Sequence, residues 1–244
     1  MKADPGWLLA IESATAVASA ALLRNGELRE LRTVPLAHPA SEALLPTVLA
    51  LLAGHRVAVV GLDALAVSIG PGSFTGLRVG VATAKGLAFG AGARSLPVPT
   101  LAALAAKGAS DAPAGARVVA VLDARRGEVY AACYEGADRL SPPVWGPTLA
   151  TPAELLPRLA VGEGPLHVIG DGVSVLEPVL RESLGERVVW VPAPGGAPDA
   201  AWVGRLGFEM LASGAAIDAA ELTPRYLRRA EAEVRRTGDR FESV

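Results

Sequence analysis

Trp7-Leu8-Leu9-Ala10-Ile11 closes on the polar corner Glu12-Ser13-Ala14-Thr15, and a second apolar run, Ala16 to Leu23, ends at Asn25-Gly26. Asn-Gly is a strong hairpin signal, since both residues accept the positive φ of a type I′ turn. A third strand is therefore expected over Glu27 to Val34. Beyond Pro39, the spacing of Leu44, Leu45, Val48, Leu49 and Leu52 predicts a helix over Ser41 to Leu52, with Ser41 or a neighbour as its N-cap. Leu62 to Ile69 reads as a buried strand that runs into Gly70-Pro71-Gly72-Ser73, and Phe74 to Gly90 reads as a helix. Ser95 to Val98 is the next strand, and Thr100 caps a helix over Leu101 to Lys107. Three hairpin-linked strands followed by alternating helices and strands build a mixed sheet with helices over its faces.

Gly108 to Gly115 is small, polar and bent, as a linker is, and the chain beyond it repeats the pattern of its beginning. Val118-Val119-Ala120-Val121-Leu122-Asp123 has the shape of Leu8 to Glu12, an apolar strand ending on a carboxylate, and Glu128 to Tyr134 takes the part of the second strand. Leu166 to Gly172 likewise matches Ala64 to Gly72, a strand ending in a glycine loop. One architectural unit is used twice. The expected division is a first lobe over 1–107, a second over 116–224, and an arginine-rich tail over 225–244. Such a duplicated α/β unit resembles the actin, Hsp70 and sugar-kinase superfamily, with its ribonuclease H-like fold and two lobes facing across a cleft.

With 244 residues and 51% hydrophobic content the chain can bury a substantial core. A formal net charge of −2 supplies no global basic field, so direct capture of nucleic acid is not expected. The single cysteine, Cys133, lies in the apolar run Val129 to Tyr134, reads as a buried inert thiol, and excludes a disulfide within the chain. The N-terminal stretch has neither the length of a membrane span nor the three-part pattern of a signal peptide, so a cytoplasmic setting without a membrane is expected.

Gly70-Pro71-Gly72-Ser73-Phe74-Thr75-Gly76-Leu77-Arg78-Val79-Gly80 is the most distinctive segment. Its glycines suit either of two uses: amides offered to an anion at a helix N-terminus, or a tight strand-to-helix turn. It is not a Walker A loop, because no Lys-Ser or Lys-Thr closes it. Gly76, Gly80, Ala84 and Ala88 recur every four residues and leave a smooth strip for close packing, either against the protein's own core or against a partner helix.

This glycine segment, with Leu9-Ala10-Ile11-Glu12-Ser13-Ala14-Thr15, His38 to Pro46, Leu122-Asp123-Ala124-Arg125-Arg126-Gly127-Glu128-Val129-Tyr130 and Pro224 to Glu231, resembles the TsaB (YeaZ) family across nearly the whole chain. The resemblance implies an accessory protein without turnover of its own. It would bind TsaD, the catalytic subunit that joins a threonylcarbamoyl group to adenosine 37 of tRNAs reading ANN codons, and through TsaD the ATPase TsaE. It could also pair with itself, and would meet tRNA only indirectly. Family pairing through first-lobe helices implies an interface of Leu44, Leu45, Val48, Gly76, Leu77, Gly80, Val81 and Ala84. TsaD holds a metal with a His-x-x-x-His pair, and the comparable positions here are Thr100 and Leu104. His38, His55 and His167 show no ligand spacing, so neither a metal nor a cofactor is expected.

Glu12, Ser13 and Thr15 with Gly72 and Ser73, and Asp123, Arg125, Arg126 and Glu128 in the second half, have two readings. They form a cleft for an anion or Mg-nucleotide, or an ion-paired lobe interface. The rival function is a stand-alone ATP-dependent kinase or ATPase, or a glycoprotease-type metallopeptidase. The first corner lacks the glycine usual in such kinases, and the missing histidine pair speaks against the peptidase. Six arginines between Arg225 and Arg240, interleaved with acids, read as a solvated tail.

Overall fold

The computed structural model describes residues 6–34, 39–135 and 141–228, so His38 and the arginines beyond Arg228 lie outside the described residues. Three strands open the chain: β1 (Trp7–Glu12), β2 (Ser19–Arg24) and β3 (Glu27–Thr33). Asn25 and Gly26 turn β2 into β3 with φ of 58° and 77°, as the Asn-Gly signal requires. Then come α1 (Ala40–Gly54), β4 (Leu62–Gly70), α2 (Phe74–Ala91), β5 (Arg94–Pro99) and α3 (Thr100–Asp111). The order repeats as β6 (Arg117–Asp123), β7 (Val129–Tyr134), β8 (Trp145–Ala150), α4 (Pro152–Ala160), β9 (Leu166–Ile169), α5 (Val173–Leu184), β10 (Val188–Val191) and α6 (Ala200–Ala212).

The first sheet has the order β3-β2-β1-β4-β5, antiparallel from β3 to β1 and parallel from β1 to β5. The second has the order β8-β7-β6-β9-β10 with the same pattern of directions. Strand for strand the two sheets are one topology, and the duplication read from the sequence is present in the fold. Each is a mixed sheet, and the chain is two-lobe α/β.

β1, β2 and β4 are apolar at almost every position because helices cover both faces of the first sheet. Successive side chains alternate faces. Leu9, Ile11, Leu22, Leu65 and Val67 meet Leu44, Val48, Val81 and Ala84 of α1 and α2, while Leu8, Ala10, Leu23 and Ala66 meet Val203 and Leu206 of α6.

The described residues of Met1–Ala103 and Pro198–Pro224 form one compact unit, and those of Leu104–Ala197 and Arg225–Val244 the other. This differs from the expected boundaries at 107, 116 and 224, and α6 is the reason. Gly204 and Gly207 let that helix settle onto β1, β2, β4 and β5. A Cβ at Gly204 would overlap Leu23 Cδ1, and one at Gly207 would stand 2.5 Å from Ala66 Cβ. Asp199 caps α6 by accepting from the amides of Ala201 and Trp202. The expected linker also begins late, because α3 runs on to Asp111. Gly108 sits inside it, where a Cβ would come within 2.8 Å of Val118 Cγ1 and 2.9 Å of Ile169 Cγ2. Two caps differ as well. α1 starts at Ala40 after Pro39 with no side-chain cap, and Thr100 is the first residue of α3 rather than the residue before it.

Gly207→Ala adds a methyl where Ala66 leaves no space. Overpacking should outweigh the roughly 1 kcal/mol gain in helix propensity and lower stability by about 1–2 kcal/mol in urea unfolding. A variant as stable as the wild type would show that α6 is not seated this closely on the sheet.

Candidate functional site

The first corner follows β1, where the chain must turn sharply beside the start of α2. Ser73 caps α2 by accepting from the Gly76 amide, and donates its own amide to the Ala14 carbonyl at 2.7 Å. The Gly70 amide goes to Thr100 Oγ1 at 3.1 Å, and Ser13 Oγ donates to the Gly76 carbonyl at 2.9 Å. The glycines are steric necessities. A Cβ at Gly72 would overlap the Ala14 carbonyl oxygen, one at Gly76 the Ser13 carbonyl oxygen, and one at Gly80 the Ser13 hydroxyl. The segment makes a tight strand-to-helix turn in which the amides of Gly70, Ser73 and Gly76 each have an acceptor within the chain. Thr100, at one of the positions compared with a metal-binding histidine, is buried and serves this loop, and Leu104 is a buried core residue.

Glu12 is fully buried at 0% exposure. Its Oε1 accepts the Ala14 amide at 2.5 Å, while Oε2 has no hydrogen-bond partner among the described residues. Burial pushes the carboxyl up to about 7; the Ala14 amide and the Ser68 hydroxyl pull the other way, and the nearby charge of Asp199 adds to the rise. Thr15 is partly buried, its hydroxyl donating to the Val17 carbonyl at 3.3 Å.

The second corner belongs to the other unit. Asp123 Oδ1 accepts the Arg125 amide at 2.7 Å, Asp123 Oδ2 lies 3.3 Å from Arg125 Nη1, and the Asp123 amide donates to Asp171 Oδ1 at 3.0 Å. Burial raises the Asp171 carboxyl above the usual carboxylate range, against the pull of the Asp123 amide that it accepts. Glu128 pairs with Arg228, whose Nη1 also donates to the Ala124 carbonyl at 2.7 Å. Asp123, Arg125 and Glu128 are thus brought together around one hairpin, and their charges are used within it. Sequence reasoning misses Asp171 and Arg228; the glycines on either side of Asp171 are the available signal.

Six of the eight expected interface residues, Leu44, Val48, Leu77, Gly80, Val81 and Ala84, are buried in their own unit, and Gly76 is partly covered. The Gly76-Gly80-Ala84 strip faces β1, because the corner at Ser13 demands that closeness. Leu45 alone of the eight stands well out, at 43% exposure. Leu49 at 45% and Phe89 at 84% join it on the outer faces of α1 and α2, and Phe89 escapes sequence reasoning because a lone apolar residue near a helix end has no periodic signature.

His55 Nε2 lies 2.8 Å from Glu30 Oε2. His167 is buried with Nδ1 unpartnered among the described residues, and burial lowers its pKa. Among the described residues no group of three or more His, Cys, Asp or Glu is placed to hold a metal. Cys133 is buried, and its thiol is pushed up to about 11 by that burial, which keeps it protonated. No helix of the described residues is long and apolar enough to cross a membrane.

A protein-family model described as "TsaD: tRNA N6-adenosine threonylcarbamoyltransferase" matches residues 36–235. The tRNA threonylcarbamoyladenosine biosynthesis protein TsaB of Escherichia coli is 40% identical over 52% of this chain and 54% of its own length, so the match spans about half of that relative. TsaB of Bacillus subtilis is 29% identical over 93% of this chain and 96% of its own. The structure of YeaZ from Pseudomonas aeruginosa superposes with a TM-score of 0.75 at 29% identity, covering 91% of this chain and all of that one. The chain belongs to this family, in its TsaB/YeaZ branch. The glycine loop packs the start of α2 against the Ser13–Ala14 corner.

Glu12 supplies a test of that packing. An acid with a raised folded pKa costs nothing below its ordinary value of 4.5, loses stability as pH rises from there to about 7, and holds the full loss above. Glu12→Gln should therefore be more stable than the wild type above pH ~7, by about 3 kcal/mol at most, with the difference fading toward pH ~4.5. Denaturant unfolding of both proteins across that range checks it; parallel curves would mean that the carboxyl is solvated.

Proposed function

We propose that this chain is a non-catalytic docking subunit for TsaD in the assembly that installs threonylcarbamoyl on adenosine 37 of tRNAs reading ANN codons, with TsaE joining through the complex, in the cytoplasm. The observation that carries the reading is the outward apolar stripe of α1 and α2. Leu45 and Leu49 stand four residues apart on one helix, and Ala82, Gly86 and Phe89 follow at helical spacing on its neighbour, all exposed. Single exposed apolar residues are ordinary, but repeated ones at helical spacing on two helices that pack together fit an association surface. Gly86 adds to this. A Cβ there would meet nothing within 4 Å, so the core does not require a glycine that costs its helix about 1 kcal/mol against alanine. A helix approaching to roughly 8–10 Å would require it.

Against the kinase reading, a phosphate-binding loop turns its amides to the ligand, and the amides of Gly70 and Ser73 are turned to Thr100 and Ala14. The positions compared with TsaD's histidine pair hold Thr100 and Leu104, which fits a partner that leaves the chemistry to TsaD. The same outer stripe could join two copies of the chain when TsaD is absent.

Phe89→Glu should fold with stability within about 0.5 kcal/mol of the wild type, as exposed substitutions do. It should weaken TsaD binding by at least about thirtyfold, the scale of losing a central aromatic contact. Gly80→Arg should fail to fold, because it drives a long side chain into Ser13 and Ile11. Calorimetric titration of TsaD with folded Phe89→Glu decides it, and wild-type affinity would remove this stripe from the reading.

A further inference from the structure

β1 ends on an acid that the fold shuts off from water. Glu12 has 0% exposure, its Oε1 accepts the Ala14 amide at 2.5 Å, and Oε2 has no partner among the described residues. A buried polar atom in that state is rare in a folded protein and calls for an account. No cation stands among the groups that act on the carboxyl. Ser68 of β4 and the amides of Ala14 and Ser13 favour its charge, and Asp199, the cap of α6, opposes it. Charged side chains on the neighbouring elements have other partners. Arg24 of β2 stacks on Trp7, Asp63 beside it on β4 accepts the Trp7 amide, Arg78 of α2 stacks on Phe74, and Arg205 of α6 stacks on Trp202. Lys85 of α2 donates to the carbonyls of Ala220 and Leu222, and Glu209 lies near the far end of α6. A carboxylate here would be dry and half unpaired, a cost relieved either by keeping the proton or by reaching water.

Water is close along the chain. Glu12 is the last residue of β1, the pairing with β4 stops one residue earlier at Ile11 and Val67, and Ala16 and Ser73 on either side of the corner are exposed. Few contacts close the corner: the Ser73 amide to the Ala14 carbonyl, Ser13 Oγ to the Gly76 carbonyl, and the Ala14 amide to Glu12 itself. Breaking them releases the corner from the first turn of α2 while β1 stays paired with β2 and β4 up to Ile11, so the opening is local.

We infer that the Glu12 corner is a proton-gated latch on α2, closed while the carboxyl is neutral and opening locally when the carboxyl loses its proton. The direction follows from linkage. Burial holds the proton on the closed corner up to about pH 7, whereas a solvated Glu12 releases it from 4.5, so opening is favoured as pH rises between those values and no further above them. Over that interval the open fraction should rise about 300-fold. Near neutral pH the seating of α2, the helix that carries Phe89, is thus set by one proton. The latch belongs to the chain alone and needs no partner.

The test is amide hydrogen exchange of the chain from about pH 4 to about pH 8, expressed as protection factors so that the intrinsic pH dependence of exchange is removed. A carbon-13 titration of the Glu12 carboxyl accompanies it. The Ala14 and Ser73 amides should lose about 300-fold in protection from pH 4.5 to about 7 and change no further. They should stay less protected throughout than the Leu22 and Leu65 amides of the sheet. In Glu12→Gln the corner amides should keep one protection factor across the range. Flat protection in the wild type, or an equal fall in Glu12→Gln, would overturn the latch. So would corner amides that exchange only as fast as those of the sheet, since the chain would then be opening as a whole. If Glu12→Gln does not fold, the wild-type series and the carboxyl titration decide. An acid titrating near 4.5 overturns the latch, and one titrating near 7 in step with the loss of protection supports it.

Discussion

The backbone of Ser13 and Ala14 lies against the start of α2 at a distance only glycine allows. Gly72, Gly76 and Gly80 would each place a Cβ on an atom of that corner. Because the corner is fixed there, α2 presents its small-residue face to β1 and its opposite face to solvent. The exposure of Ala82, Gly86 and Phe89 follows from that orientation. One steric constraint therefore orients both the buried strip and the outward surface proposed to meet a partner.

The same closeness leaves a carboxyl without water. Glu12 ends β1 inside this packing, its Oε1 holding the Ala14 amide and its Oε2 without a partner among the described residues. A site built to hold phosphate keeps donors turned outward and its charges solvated or metal-bound. Here the amides of Gly70, Ser73 and Gly76 are held within the chain, and the acid is moved toward its neutral form by burial. In the second unit Asp123 pairs with Arg125, and Glu128 with Arg228. The two halves share a topology and differ in their corners: the first buries a lone carboxyl, and the second pairs its acids with arginines.

Much of the fold was legible because strand and helix periods, Asn25-Gly26 and the repeated strand-carboxylate pattern are local signals. The swap of α6 onto the first sheet was not, since Gly204 and Gly207 declare their purpose only once Ala66 and Leu23 are seen beneath them. The small-residue strip was found, but its direction was not. Four-residue spacing defines a face and leaves open whether sheet or solvent lies against it, and the deciding contact, Ser13, is more than sixty residues away in sequence. The second corner was recognised by its charges, whereas its left-handed arginines and the Arg228 brace depend on backbone geometry and on a distant segment that no local pattern records.

The role proposed above is that the chain serves threonylcarbamoyl transfer through its surfaces and leaves every chemical step to its partners. Its most direct test is a reconstituted assay of tRNA modification with TsaD, TsaE and the threonylcarbamoyl donor, run without this chain, with the wild type, and with a Glu12→Gln, Asp123→Asn double variant shown to bind TsaD. The account predicts little product without the chain and rates within a few-fold of each other for the wild type and the double variant. A loss of about a thousandfold in the double variant with TsaD binding intact, a size characteristic of removing catalytic groups, would contradict it.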